Sequence, residues 1–395
     1  MAFVFFLLEV KLVKCPISQY LDFLRPTIPK ELISDESYSH IGNMASLVPG
    51  ALAFSAFGFE CCLGDRESAA DFLFSLQKDN SGPEILSGKL PENDFDASLF
   101  SIIQWNQVRY FGKQWADPPS SLYGGIDDVW LEFDISTPGA RGAKVPSLFF
   151  SPFIEYHQHN QGALSVEKGL RLLENIFRWV KGKSPGPSAI QNWRKCLEML
   201  PSLKQLFQVG LMLSRSGSHS LRLCMALDHE TFKRYLSNIH WPGDLEKLDS
   251  VLKKLSTLFE SLYLHVDVGS AISGKIGIEC KFPKRKGPSR EPRWYPFLDN
   301  LVEKGLCLPS KRDGLLAFPG YRKTDINACP RPLQELAHRL TLSHSSFFVR
   351  TIYHVKLVYR ETETWEAKGY FGINHLWKGL WGDNETGCGK WGIIG

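Results

Sequence analysis

The chain has 395 residues, 43% of them hydrophobic and 22% charged, which is enough to bury one large core or two ordinary ones. A net charge of +4 at pH 7 is small for that length and argues against bulk nucleic-acid binding. The nine cysteines are scattered with no C-x-x-C pair, so neither a disulfide framework nor a zinc site is indicated and a reducing, cytoplasmic setting is expected.

Met1–Val10 is apolar but short, lacks a basic start and is followed at once by Lys11 and Lys14. It reads as a buried element or a misassigned start rather than a signal peptide, and no membrane partner is expected. Ser18–Leu24 reads as a short helix stopped by Pro26, which gives residues 1–50 the character of an N-terminal helical segment. A first hairpin is expected from Ala51–Ala56 and Phe57–Leu63, where Phe57, Phe59, Cys61 and Leu63 oppose Glu60. Ala69–Gln77 and Asp96–Trp115 are expected as helices around a Pro/Gly/Asn-rich loop.

Further on, the period-two pattern is clear. Val129, Leu131, Phe133 and Ile135 alternate with Trp130, Glu132 and Asp134, and Ser147–Phe153 returns. Val166–Val180 and Ala189–Leu200 have amphipathic helical spacing on either side of Pro185-Gly186-Pro187. The next hairpin joins Val209–Ser214 to Leu221–Leu227, in which Arg222 stands on the polar face. Helices Glu230–Ile239 and Leu245–Leu262 lead into Leu262–Phe282, the strongest alternation in the chain. There Tyr263, His265 and Asp267, then Lys275, Gly277, Glu279 and Lys281, stand opposite two apolar rows. Trp294–Gly305, a turn near Leu315 and a helix at Leu333–Leu340 follow. The last hairpin joins Phe347–Arg360 to Glu366–Ile373, with His354 and Lys356 on one polar face and Lys368 and Tyr370 on the other.

Five antiparallel hairpins, each followed by about two helices, define an α+β fold: one ten-stranded antiparallel barrel of ββαα units over residues 51–373, with helices outside. Residues 374–395 then form a Gly/Trp-rich tail. Two fused α+β halves are the alternative, because Gly58–Leu76 with Val129–Phe153 looks like Arg222–Leu236 with Leu262–Phe282. Parity alone places Glu60, Trp130, Glu132, Asp134, Arg222, Tyr263, His265, Asp267, Glu279, Lys281, His354, Lys356, Lys368 and Tyr370 on the inward face. Acids, bases, histidines and aromatics mixed on strands whose other face builds the core describe a cavity for something polar.

In this architecture the chain resembles the ABBA, or PT-barrel, prenyltransferases. The resemblance implies a soluble biosynthetic transferase that moves an allylic prenyl group from a diphosphate donor to an aromatic small molecule or a peptide. Strand cations would hold the diphosphate, so no cofactor is required; Mg2+ is compatible with such a site but not obligatory. Lys368-Gly369-Tyr370 is similar to the family's Lys-x-Tyr strand pattern. It implies donor-binding roles for Arg222, Lys281, Lys356 and Lys368, and a cation-shielding role for Tyr370. Glu60 is similarly placed to the acceptor-side carboxylate, although an ion pair with a strand cation accounts for it equally well. Trp130, Glu132, Tyr263, His265 and Asp267 would line the substrate cavity.

The chain departs from the family in lacking the Arg-x-Lys-x-Tyr spacing at Leu262–Phe282 and in carrying more carboxylates than a diphosphate site needs. A barrel with other acid–base chemistry, or one that binds without turnover, therefore stands beside the first reading. His157-Gln158-His159 has a metal-compatible spacing but no third ligand at a convincing distance, and Lys281–Arg293 is a basic, proline-broken loop. Neither a P-loop, a dinucleotide fingerprint nor a G-x-S-x-G elbow is present.

Overall fold

The computed structural model describes residues 15–135, 144–152, 165–215, 219–283, 291–324, 330, 345–360 and 364–378. Eleven strands form one sheet: β1 Ala56–Cys62, β2 Ala70–Gln77, β3 Ile126–Phe133, β4 Ser147–Pro152, β5 Leu206–Met212, β6 Leu221–Leu227, β7 Leu262–Val268, β8 Ile272–Cys280, β9 Gly320–Lys323, β10 Ser345–Tyr359 and β11 Trp365–Lys378. Strands β1 to β8 pair in sequence order, β8 pairs with β10, β10 with β11 and β11 with β1, every pair antiparallel. Ten strands thus close on themselves, which abolishes sheet edges. The short β9 stands outside the ring, paired only with the early part of β10. A single closed ring rules out two separate halves, and the architecture is that of the PT-barrel.

The outward faces are apolar because a layer of helices covers them. Phe57, Phe59, Phe72, Phe74, Leu131, Phe150, Leu264, Ile278, Leu357 and Phe371 are all buried in one continuous hydrophobic cluster. Into it the helices press their own stripes. Val166–Lys181 buries Leu170, Leu173, Ile176, Phe177 and Val180, starts on a Ser165 side-chain cap and stops at Gly182, whose φ of 68° only glycine adopts easily. Pro187–Glu198, His229–Asn238, Leu245–Ser256 and Trp294–Glu303 bury similar stripes.

Several local expectations change. Ala69–Gln77 is strand β2 rather than a helix: Ala70, Phe72, Phe74 and Leu76 alternate with Asp71, Leu73 and Ser75, and β1 and β3 pair with it on either side. Ala51–Ala56 is not a strand, since Gly50–Phe54 is a 3-10 turn, so the first hairpin is β1–β2. Asp96–Trp115 is broken at Ile102 into a 3-10 turn, Ala97–Ser101, and a helix, Ile103–Trp115. The turn near Leu315 is a helix, Pro309–Ala317, started by its proline, and β11 runs past Ile373 to Lys378. The tail from 379, the helix at Leu333–Leu340, His157, His159 and residues 284–290 of the basic loop lie outside the described residues.

Inside the ring, Gly58 of β1 faces Gly372 of β11, whose backbone passes close beside it, and the ring of Tyr353 from β10 fills the space Gly372 leaves. A Cβ on Gly372 would lie 2.3 Å from that ring. Gly372→Ala is therefore expected to cost on the order of 1–3 kcal/mol. Denaturant unfolding checks this, and the cost should shrink when the substitution is made in a Tyr353→Ala background.

Candidate functional site

Parity on β1, β3, β6, β7, β8, β10 and β11 turns one side chain in two into the lumen. Contacts across the ring confirm the direction: the rings of Trp130 on β3 and Tyr353 on β10 meet at 6.4 Å although β2, β1 and β11 lie between their strands. The lumen has two chemically distinct halves. Toward the hairpin turns lies a cavity lined by Glu60, Glu132, Arg215, Arg222, His265, Asp267, Lys275, Lys356 and Lys368 among others. One strand step deeper come Trp130, Tyr353, His354, Tyr370, Tyr263 and Lys281, a largely aromatic half in which Trp130, Tyr263, Tyr353 and His354 remain partly exposed.

The two halves meet at Glu60. Its carboxylate accepts a hydrogen bond from Lys368 Nζ, and Lys356 Nζ lies 3.7 Å from its other oxygen. Lys356 also donates to the Tyr370 hydroxyl and lies 4.4 Å from the centre of that ring. The register explains the cluster, since Glu60 faces Tyr370 on β11 while Lys368 faces Lys356 across the β10–β11 pair. Burial would push the Glu60 carboxyl up, but the ammonium groups of Lys368 and Lys356 outweigh it and hold it well below the usual carboxylate range. Glu132 goes the other way: burial and the charge of Glu60 push its carboxyl up from the usual carboxylate range.

Around the mouth, Arg222 is held by Asp267 through two bonds of 2.7 and 2.9 Å, a bidentate pair from facing positions on β6 and β7. Arg215 lies 3.6 Å from Asp134. Lys275 differs: it has no carboxylate partner among the described residues, and burial followed by the charges of Arg360, Arg222, Arg215 and Lys368 push it down to about 8. Four other cations and the Asp267 carboxylate, which Lys275 helps to hold below its usual range, set the field around this half-buried ammonium.

A third cluster stands at the side of the lumen. Glu279 Oε1 lies 2.7 Å from His265 Nε2 and 3.4 Å from His354 Nε2, and His265 Nδ1 lies 3.4 Å from the Cys224 thiol. His354 stacks on Tyr370 with ring centres 4.2 Å apart. Deeper still, Lys281 Nζ sits 3.3 Å from the centre of the Tyr263 ring, and Tyr263 meets Phe207 edge-on.

The structure thus brings Glu60, Glu132, Arg222, His265, Asp267, Lys356 and Lys368 to one cavity. It sets Trp130, Tyr263, Lys281 and Tyr370 in the deeper half, where Lys281 covers an aromatic ring rather than joining the other cations. Sequence reasoning left Lys275 and Arg215 out of the site. Lys275 was legible as a polar-face position of β8, whereas Arg215 follows β5 and gave no periodic signal. Among the described residues no group of three or more His, Cys, Asp or Glu is placed to hold a metal ion, and no helix is long and apolar enough to cross a membrane.

Neither a family profile nor a curated protein matches this sequence. Two solved structures are similar in fold. One is 5-dimethylallyltryptophan synthase from Streptomyces coelicolor, at 10% identity over 90% of this chain and 95% of that one, with a TM-score of 0.48. The other is prenyltransferase PriB in its apo form, at 9% identity over 89% of this chain and 94% of that one, with a TM-score of 0.45. The barrel assignment rests on strand order and closure, and these likenesses accompany it.

One buried histidine gives the stability a defined pH dependence. His375, between the rings of Phe54 and Phe348 and 2.6 Å from Ser346 Oγ, is pushed down to about 3 by burial. The unfolded chain protonates that imidazole near pH 6.5, so its contribution is complete above about 6.5 and is lost as pH falls toward 3. Thermal melts between pH 7 and 4 are expected to fall steadily, and His375→Gln is expected to flatten that fall.

Proposed function

We propose that the barrel is an aromatic prenyltransferase, taking an allylic diphosphate in its cationic half and an aromatic small molecule or aromatic peptide side chain in its aromatic half. The observation that carries this reading is Lys275, an ammonium with no carboxylate partner among the described residues, set among Arg215, Arg222 and Lys368 at the mouth of a lumen whose deeper half is aromatic. A donor with a doubly charged head and a hydrocarbon tail has the same polarity as that lumen.

In this reading Lys275, Arg215, Lys356 and Lys368 share the diphosphate, whose departure concentrates negative charge where the cations already stand. Arg222, already bonded by Asp267, shapes the mouth and adds field rather than a free hydrogen-bonding fork. The allylic cation left behind is sheltered by the π face of Tyr370, and exclusion of water from the deeper half protects it from capture. Glu60 anchors the acceptor by accepting a hydrogen bond from its N–H or O–H. Glu132, its carboxyl pushed up by burial and by Glu60, limits the negative charge beside the donor.

Titration with pyrophosphate or dimethylallyl diphosphate is expected to show saturable binding that weakens with salt. Lys275→Ala and Lys368→Ala should each weaken it at least tenfold with the fold intact, and absence of binding at millimolar ligand would overturn the reading. The bound anion raises the Lys275 pKa, so affinity should be greatest below about pH 8 and decline above it, and that decline should vanish in Lys275→Ala. With dimethylallyl diphosphate and L-tryptophan, indole or tyrosine peptides as acceptor probes, Glu60→Gln should keep donor binding while product formation falls by about one to two orders of magnitude, the loss of one charge-assisted hydrogen bond to the acceptor. Normal turnover with a lowered melting temperature would instead make Glu60 a structural ion-pair member.

A further inference from the structure

The prenyl-transfer reading leaves one buried ionisable group unused. His265, Glu279 and His354 meet at a single carboxylate oxygen, yet none of the three atoms most concerned, His265 Nε2, His354 Nε2 and Glu279 Oε2, makes a hydrogen bond of good geometry. Three buried polar atoms in contact but poorly satisfied are costly unless the arrangement serves a purpose. His265 has a neighbour at both nitrogens, Cys224 at Nδ1 and Glu279 at Nε2. His354 has Glu279 near Nε2; its Nδ1 makes no hydrogen bond among the described residues, and its side chain keeps 16% exposure within the lumen. The ring also stacks on Tyr370, so it stands beside the place assigned above to the allylic cation.

We propose that His354 is the base that takes the ring proton of the aromatic acceptor, with Glu279 as its positioning residue; this rests on the prenyl-transfer reading. The donor's C–O bond breaks and its electron pair leaves on the diphosphate. A new C–C bond forms from the acceptor's π electrons, giving a ring carbon that carries both the prenyl group and a hydrogen. The C–H pair then returns to the ring, the proton passes to His354 Nδ1, and the imidazolium formed is stabilised by the Glu279 carboxylate. That proton is lost to water when the site opens for product release.

Glu60 does not fit this step, because an ammonium group stands at each of its oxygens, Lys368 at Oε1 and Lys356 at Oε2, and an arriving proton would meet two cations. His354 does: burial, with Lys356, Lys281 and His265 adding to it against Glu279, keeps the imidazole unprotonated at neutral pH, pushed down to about 3. Among the described residues Glu279 is the carboxylate facing it; burial would raise that carboxyl, but His354, His265 and Lys281 hold it below its usual range. His354 needs no prior deprotonation to accept the proton, Glu279 offsets part of the cost of charging it, and the ring cation that gives the proton up is a far stronger acid than the imidazolium formed.

Two measurements test the proposal. Nitrogen-15 NMR of histidine-labelled protein at pH 7, assigned with His354→Gln and His265→Gln, should show a neutral His354 with its proton on Nε2; an Nδ1–H tautomer or an imidazolium overturns the proposal without any assay. With dimethylallyl diphosphate and L-tryptophan, indole or tyrosine peptides, His354→Gln should bind pyrophosphate as the wild type does. It should still release pyrophosphate from the donor, yet form C-prenylated product at least a hundredfold more slowly, with a primary isotope effect from a ring-deuterated acceptor. Glu279→Gln should lose less and shift the pH profile of transfer. Full transfer by His354→Gln removes the histidine and leaves the prenyl reading standing. Wild-type protein that binds no diphosphate, or prenylates no aromatic acceptor, removes both.

Discussion

Closing ten strands into a ring creates an interior that no helix can cover, and the rest of the structure follows from how that interior is satisfied. Side chains alternate, so every strand that gives Phe, Leu or Ile to the helix layer must also give something to the lumen. A lumen filled with aliphatic side chains would be a second core. Here it is filled with charges, and charges taken out of water need partners. The pairs formed follow the register: Arg222 faces Asp267, and Glu60 on β1 reaches Lys368 on the neighbouring β11 and Lys356 one strand further on, on β10. The hydrogen-bond ladder that closes the barrel therefore also decides which charges can neutralise each other.

The fold was legible because the outward faces carry the period-two signal without interruption. At Leu262–Cys280 the alternation is strict and the two strands fall where it places them. It failed at Ala70–Gln77, where Phe72, Leu73 and Phe74 make a nearly continuous apolar run that fits a short helix as well as a buried strand. Only pairing with β1 and β3 settles it. Pro309–Ala317 failed for the opposite reason: its pattern is weak, and a proline at its first position makes the helix.

The site was legible as a set of inward positions and not as an arrangement. Parity placed Glu60, Arg222, His265, Glu279, Lys356 and Lys368 in the lumen, but it carries no depth. Depth separates Lys281, over the Tyr263 ring, from Lys275 at the mouth, although the two share one face of one strand and its extension. Parity also cannot report which charges are paired. Arg222 reads as a free cation until Asp267 is found opposite it, and Glu279 reads as a solvated carboxylate until β7 and β10 bring a histidine to each side.

That pairing bears directly on how an anion could enter. Glu60 pairs with two of the cations that the proposed diphosphate would use, and Asp267 ties up Arg222 beside them. A ligand with more negative charge than the carboxylate it displaces gains from the exchange, because it meets Lys275 and Arg215 as well as the shared lysines. A ligand with a single carboxylate gains little, since it replaces one such group by another and still loses its hydration. The internal ion pairs thus work as a threshold on ligand charge.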